Sequence, residues 1–189
     1  MTATIAHFID GKAVFGNSSR SAEVFNPATG AVTGRVALAD KGDVEAAIAS
    51  AQAAFPAWAA TTPLARARVM FKFKQLLEEH ADEIALAITH EHGKVFSDAK
   101  GELTRGLEVV EFACGVAPMM MGETIENVSA GMDTYSYRVP LGVCGGIAPF
   151  NFPAMIPLWM YPLAITTGNT YVLKPSERVP TTAQKLVQL

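Results

Sequence analysis

The chain has 189 residues, enough for one sizeable core or one domain with an appended arm. Half of the residues are apolar and 17% are charged, a balance that excludes a disordered chain. The net charge of −3, from 15 basic and 18 acidic residues, leaves no basic block for nucleic acid; two cysteines without a CxxC pair point to a reducing, cytoplasmic compartment and give no metal signature.

The opening MTATIAHFIDGK has no apolar run of signal-peptide length. Residues 5–38 read as short strands, with a hairpin signal at Asp10-Gly11 and a turn from Asn26-Pro27 to Gly30 before a strand through Val36 and Leu38. Asp40 caps a helix with Val44, Ile48, Ala51 and Phe55 on one face, which Pro56 bends or ends. Pro63 opens one long helix that keeps its period through Val69, Phe73, Leu76, Leu77, Ile84 and Ile88 until Gly93. A third helix is predicted from about Ser97 to Met121, with Leu103, Leu107, Val110 and Ala113 apolar.

The pattern then turns extended, with Tyr135, Tyr137 and Val139 alternating. VCGGIAP reads as a short buried strand. The apolar run from Phe150 to Thr166 contains Pro153, Pro157 and Pro162 and falls short of the ~20 residues of a membrane span, so it reads as a buried loop and helix. YVLK is a second buried strand, and Thr181 with Gln184 matches a capping box for a last helix. Strand–helix–strand–helix order implies a parallel sheet. Two strands give such a sheet too little cover, so the chain is expected to stop partway through an α/β domain.

Open α/β sheets bind ligands at the carboxyl ends of their strands. IAPFNFP lies there, and Pro149 and Pro153 stiffen it. Asn151, between Phe150 and Phe152, either donates its amide to a developing oxyanion or bonds the turn backbone; the spacing fits both. In YVLKPSER, Lys174 and Glu177 form a donor and acceptor pair at the same edge, suited to ribose hydroxyls, or else a solvated ion pair. No GxGxxG occurs in this segment. His90 and His92 flank Glu91 at a spacing that turns them apart on a helix, which favours a surface role over a metal site. Met119 to Met121 read as core or interface filler, and Glu78, Glu79, Asp82 and Glu83 as a solvated helix face.

The run GVCGGIAPFNFPAMIPLWMYPLAITTGNTYVLKPSER resembles the cofactor-domain core of the aldehyde dehydrogenase superfamily. FIDGK, FNPATG, ADKGDVEAAIASAQAAFPAW and ITHEHGK follow in family order, so the resemblance covers nearly the whole chain. Phe150, the AMIPLWM run, Arg178 and TRGLEVVEFACG are most similar to the CoA-acylating (methyl)malonate-semialdehyde branch, which acts in valine and inositol catabolism.

The resemblance implies an α/β fold: the N-terminal portion of a Rossmann-like, parallel-sheet cofactor domain with an extended oligomerisation arm. It divides the chain into β elements and helices over 1–121, the arm over 122–141 and the start of the βαβ core over 142–189. It implies NAD as cofactor, coenzyme A as co-substrate, a small semialdehyde as substrate and a homo-oligomer, dimer or tetramer; neither nucleic acid nor membrane is an expected partner. By residue, it implies Asn151 as the oxyanion amide, Ala148 and Phe150 as nicotinamide-side contacts, and Lys174 and Glu177 as ribose ligands, with Arg178 a further cofactor contact. Arg105 is the candidate for the semialdehyde carboxylate, since a guanidinium offers a bidentate fork; a solvated helix face or an ion pair is its other reading. Neither Cys114 nor Cys144 matches the family's nucleophile motif. The general-base glutamate and the catalytic domain are also missing, so the sequence is expected to be the N-terminal piece of a longer enzyme. A non-acylating dehydrogenase and a non-catalytic module are the alternatives.

Overall fold

The computed structural model describes residues 3–189; the first two residues of the segment read above as lacking a signal peptide lie outside them. At the Asp10-Gly11 signal, strands β2 (His7–Ile9) and β3 (Lys12–Val14) pair antiparallel, and both turn residues have positive φ, 52° and 69°. Strand β5 (Val32–Ala37) runs between β1 (Ala3–Ile5), parallel to it, and β4 (Ser21–Phe25), antiparallel.

Helix α1 (Lys41–Ala60) starts at the expected Asp40 cap, which is a full capping box: Asp40 and Asp43 each accept the other's backbone N–H, at 2.9 and 3.0 Å. Pro56 does not end this helix, which continues one further turn. The apolar face expected at Val44 and Ile48 is exposed. The single helix expected from Pro63 to Gly93 is two: α2 (Pro63–Glu79) and α3 (Ala81–His92). They break at His80, where no glycine or proline marks the end, and Leu77 and Ile84 lie seven residues apart, so the apolar period passes through unbroken. Val69 is exposed; Ala67, Met70 and Leu77 face inward instead. The expected third helix also divides at Gly115, into α4 (Phe96–Cys114) and the single turn α5 (Val116–Met119).

Strands β6 (Thr124–Ser129) and β7 (Met132–Tyr135) form an antiparallel hairpin that is exposed throughout. Strands β8 (Val143–Ile147) and β9 (Thr170–Lys174) pair parallel, with α6 (Met155–Thr166) as the crossover and α7 (Pro180–Gln188) following. Neither strand is buried as expected: Val143 and Ile147 leave one face of β8 open, and β9 is half-buried with Lys174 exposed. The last helix begins at Pro180 and not from a Thr181–Gln184 capping box; Gln184 donates to the Ala6 carbonyl instead.

The core gathers where α2, α3 and α4 meet α6 and α7. Leu77, Ile84, Ile88, Leu103, Val110, Leu158 and Leu186 are almost fully buried there, each contributing ~1.5–3 kcal/mol. Helices α4 and α6 pack at Gly106, where a Cβ would stand 2.6 Å from Leu158 Cδ1. Two polar braces fix the crossover. The buried Arg66 guanidinium donates to the Thr166 carbonyl at 2.8 Å and to the Thr61 carbonyl, and burial pulls its pKa down. Asn169 Oδ1 accepts the N–H groups of Leu141 and Gly142 at 2.6 and 3.1 Å, tying the entry of β8 to the exit of α6.

Candidate functional site

The parallel ladder runs one residue beyond β8: Ala148 N–H donates to the Lys174 carbonyl at 3.0 Å. The buried Ala148 and the end of β9 are thereby neighbours at the carboxyl edge of the sheet. After Ala148 the chain turns outward through Pro149, Phe150 and Asn151 and returns inward at Pro153.

Phe150 and Asn151 are exposed. The Arg178 guanidinium stands 5.1 Å from the centre of the Phe150 ring, so the loops after β8 and β9 touch through a cation–π contact. Asn151 is held by its backbone, where Lys94 Nζ donates to its carbonyl at 3.0 Å. Among the described residues no hydrogen bond engages its side-chain amide, so the turn-backbone alternative has no contact here.

On the neighbouring loop, Lys174 Nζ meets Glu177 Oε2 at 2.9 Å, with both side chains about half exposed. The hydrogen bond from Lys174, followed by the backbone N–H of Glu177 itself, holds the Glu177 carboxyl below the usual range. Phe150, Glu177 and Arg178 line one cleft of about 500 Å³, which reaches Glu91 and His92 at the end of α3. Burial lowers the His92 pKa, which favours the neutral ring. Arg105 is not among the residues lining this cleft; it lies exposed on α4, with its guanidinium 5.8 Å from the Phe152 ring centre. Trp159 Nε1 donates to the Arg105 carbonyl at 3.1 Å.

Two residues central to this arrangement escape a reading of motifs. Glu102 is fully buried. Its Oε1 accepts the N–H groups of Ala154 and Met155 at 2.8 and 3.1 Å, capping α6, and its Oε2 meets Lys94 Nζ at 2.6 Å. Glu91, read above as part of a surface HEH, is also buried and caps α7, accepting the N–H groups of Thr181 and Thr182 at 2.7 Å each. A signal existed for both: Glu102 falls on the buried stripe of Ala99, Leu103, Gly106 and Val110, and Glu91 continues that of Ile84 and Ile88.

Of the two free thiols, Cys114 is buried and its pKa is raised by desolvation, and Cys144 sits in the β8 ladder. Among the described residues no group of three His, Cys, Asp or Glu could hold a metal ion, and no helix is long and apolar enough to cross a membrane.

A parallel strand pair with a helical crossover, a proline-bounded loop presenting an amide and a charged pair on the adjoining loop form a βαβ unit with polar groups at the strand carboxyl ends, where open α/β sheets bind ligands. The sequence pattern of the aldehyde dehydrogenase family matches residues 14–189, and the chain belongs to that family. The chain is 54% identical over 186 residues to the human mitochondrial methylmalonate-semialdehyde/malonate-semialdehyde dehydrogenase [acylating], covering 98% of this chain and 35% of the relative. It is 51% identical to the malonate-semialdehyde dehydrogenase of Pseudomonas aeruginosa, covering 98% of this chain and 37% of the relative. The structure superposes on methylmalonate-semialdehyde dehydrogenase from Oceanimonas doudoroffii with a TM-score of 0.96 at 53% identity, covering 99% of this chain and 38% of the other. A Sinorhizobium meliloti protein assigned to the same enzyme class and solved with NAD gives 0.97 at 51% identity, over 100% and 38%. The chain thus spans little more than a third of the length of these relatives.

Proposed function

We propose that this chain forms the cofactor-side wall of the active site in an NAD-dependent enzyme that oxidises malonate or methylmalonate semialdehyde and transfers the acyl group to coenzyme A. The observation that carries the reading is the Asn151 amide, exposed and unengaged on a loop pinned at its backbone. Such a donor is aimed in advance at the charge that develops on an aldehyde oxygen when a thiolate attacks. The attacking cysteine comes from a part of the enzyme beyond these 189 residues, since Cys114 is buried and Cys144 belongs to a strand ladder.

The residues fit a dinucleotide. Lys174 and Glu177 offer a donor and an acceptor to ribose hydroxyls, Arg178 and Phe150 close one side of the cleft, and Ala148 adds a backbone wall. NAD, when bound, supplies the hydride acceptor. Arg105, exposed beside the Phe152 ring that follows Asn151, pairs with the substrate carboxylate. The products are acetyl-CoA or propionyl-CoA, NADH and CO2. The β6–β7 hairpin exposes Ile125, Val128, Met132 and Tyr135, which supports pairing with a second copy in a dimer or tetramer. Two free thiols support a reducing, cytoplasmic setting.

The test uses the complete enzyme that carries this segment. NADH should form from malonate semialdehyde only when coenzyme A is present, and Asn151→Ala should slow acylation ~10²–10³-fold. Turnover to a free acid without coenzyme A would overturn the acylating assignment and favour a hydrolytic aldehyde dehydrogenase.

A further inference from the structure

The geometry points to Lys94 and Glu102 as positioning residues that aim the Asn151 amide and fix its distance from Arg105. The inference rests on the reading of Asn151 as the oxyanion donor. It starts from one buried carboxylate with both oxygens in use. Glu102 Oε1 holds the N–H groups of Ala154 and Met155, and Oε2 holds Lys94 Nζ. The same ammonium donates to the Asn151 carbonyl at 3.0 Å and lies 4.5 Å from the centre of the Phe152 ring. Residues 151, 152, 154 and 155 are therefore all tied to a single charged pair rooted in α4.

A helix cap alone does not need this arrangement. The two N–H groups at the start of α6 are satisfied by Glu102 without Lys94. What Lys94 adds is a bond to the carbonyl of Asn151 itself, from a side chain only 12% exposed. That bond fixes the peptide from which the amide projects. Arg105 lies three residues after Glu102 on the same helix, and its guanidinium stands 5.8 Å from the centre of the same Phe152 ring that Lys94 approaches. The two groups that would hold the aldehyde oxygen and the carboxylate are thus referred to one rigid element. Misplacement of a reacting group by ~1 Å lowers a rate by ~10²-fold, so a brace of this kind acts on the rate without touching substrate.

The experiment compares Lys94→Met, Lys94→Arg, Asn151→Ala and the Lys94→Met/Asn151→Ala double variant in the complete enzyme. Single-turnover NADH formation reads acylation, fluorescence titration reads NAD affinity, and thermal unfolding reads integrity. Lys94→Met should slow acylation ~10–100-fold, with Lys94→Arg recovering part of the loss. NAD affinity should stay within about a factor of two, and in the Asn151→Ala background Lys94→Met should change the rate by no more than about that factor. A folded Lys94→Met enzyme with wild-type acylation, or effects that multiply in the double variant, would overturn the inference. If Lys94→Met does not fold, Glu102→Gln is read against the same outcomes: its carbonyl still caps α6, and its amide repels the ammonium. Should Asn151→Ala leave acylation unchanged, the oxyanion reading fails first, which separates its failure from that of the brace.

Discussion

Helices α6 and α7 both begin just after a parallel strand, and at each a buried glutamate from another helix accepts two consecutive backbone N–H groups. Glu102 does so from α4 and Glu91 from α3. The difference is the counter-charge. Lys94 sits 2.6 Å from Glu102, whereas among the described residues no lysine or arginine pairs with Glu91. Burial accordingly pushes the Glu91 carboxyl above its ordinary range, against the pull of its hydrogen bonds to Thr182 and Thr181. Donors alone make a carboxylate a good cap; donors plus an ammonium make it a fixed charge from which a loop can be aimed. The loop carrying Asn151 has the second kind, and the loop carrying Lys174 and Glu177 has the first.

The largest effect should come from removing the paired carboxylate. Glu102→Ala leaves a nearly buried ammonium and two N–H groups without their partner, a loss of about 3–5 kcal/mol. Hydrogen exchange at the Ala154 and Met155 amides of the complete enzyme would read it directly. Glu91→Ala should weaken the start of α7 by only ~1–3 kcal/mol, read at Thr181 and Thr182. Equal losses at the two caps would break the distinction. The pH dependence sharpens it further. Because the folded-state pKa of Glu91 lies above 4.5, its contribution to stability is full below that value and declines as pH rises through the raised pKa. Glu91→Gln should remove that decline from the pH profile of thermal midpoints; an unchanged profile would show that another group titrates.

Much of the architecture was open to a reading of the chain because it rests on local chemistry. The Asp10-Gly11 hairpin and the Asp40 cap follow from residues at fixed short offsets, and the parallel pairing of β8 with β9 follows from the strand–helix–strand order. The break at His80 was hidden because Leu77 and Ile84 keep helical phase across it. Glu91 and Glu102 were hidden for another reason: the N–H groups they satisfy lie 90 and 52 residues away. A charged residue on an apolar stripe announces burial but not its partner. The open face of β8 and the exposed Val44 and Ile48 contradict a pattern that would bury them, and nothing among the described residues covers them.

The seam between α4 and α6 offers a smaller effect. Gly106→Ala would bring a Cβ within 2.6 Å of Leu158 Cδ1 and 3.1 Å of Leu158 Cβ. The Leu158 methyl can swing away but the Cβ cannot, so separation of α4 from α6 should cost about 1–3 kcal/mol. Since Glu102 rides on α4 and its N–H partners on α6, the same substitution should speed exchange at Ala154 and leave Thr181 unaffected. Faster exchange at both would mean that the two caps share one mechanical unit.

The smallest effect on stability belongs to the Lys174–Glu177 pair. Both side chains are about half exposed, so water screens the attraction, and Lys174→Met should alter stability by only about 0–1 kcal/mol. Its ligand role can be read separately through pH. Glu177 is held below its usual value of 4.5, first by the Lys174 hydrogen bond, which favours the ionised form that accepts from a hydroxyl. NAD affinity of the complete enzyme should therefore weaken only as pH falls into the range where this depressed carboxyl takes up its proton. In Lys174→Met the fall should begin at higher pH, because the carboxyl loses the donor that depresses it. A wild-type affinity already falling well above 4.5, with no change on substitution, would remove Glu177 from the set of cofactor ligands and leave the loop after β9 with Arg178 alone.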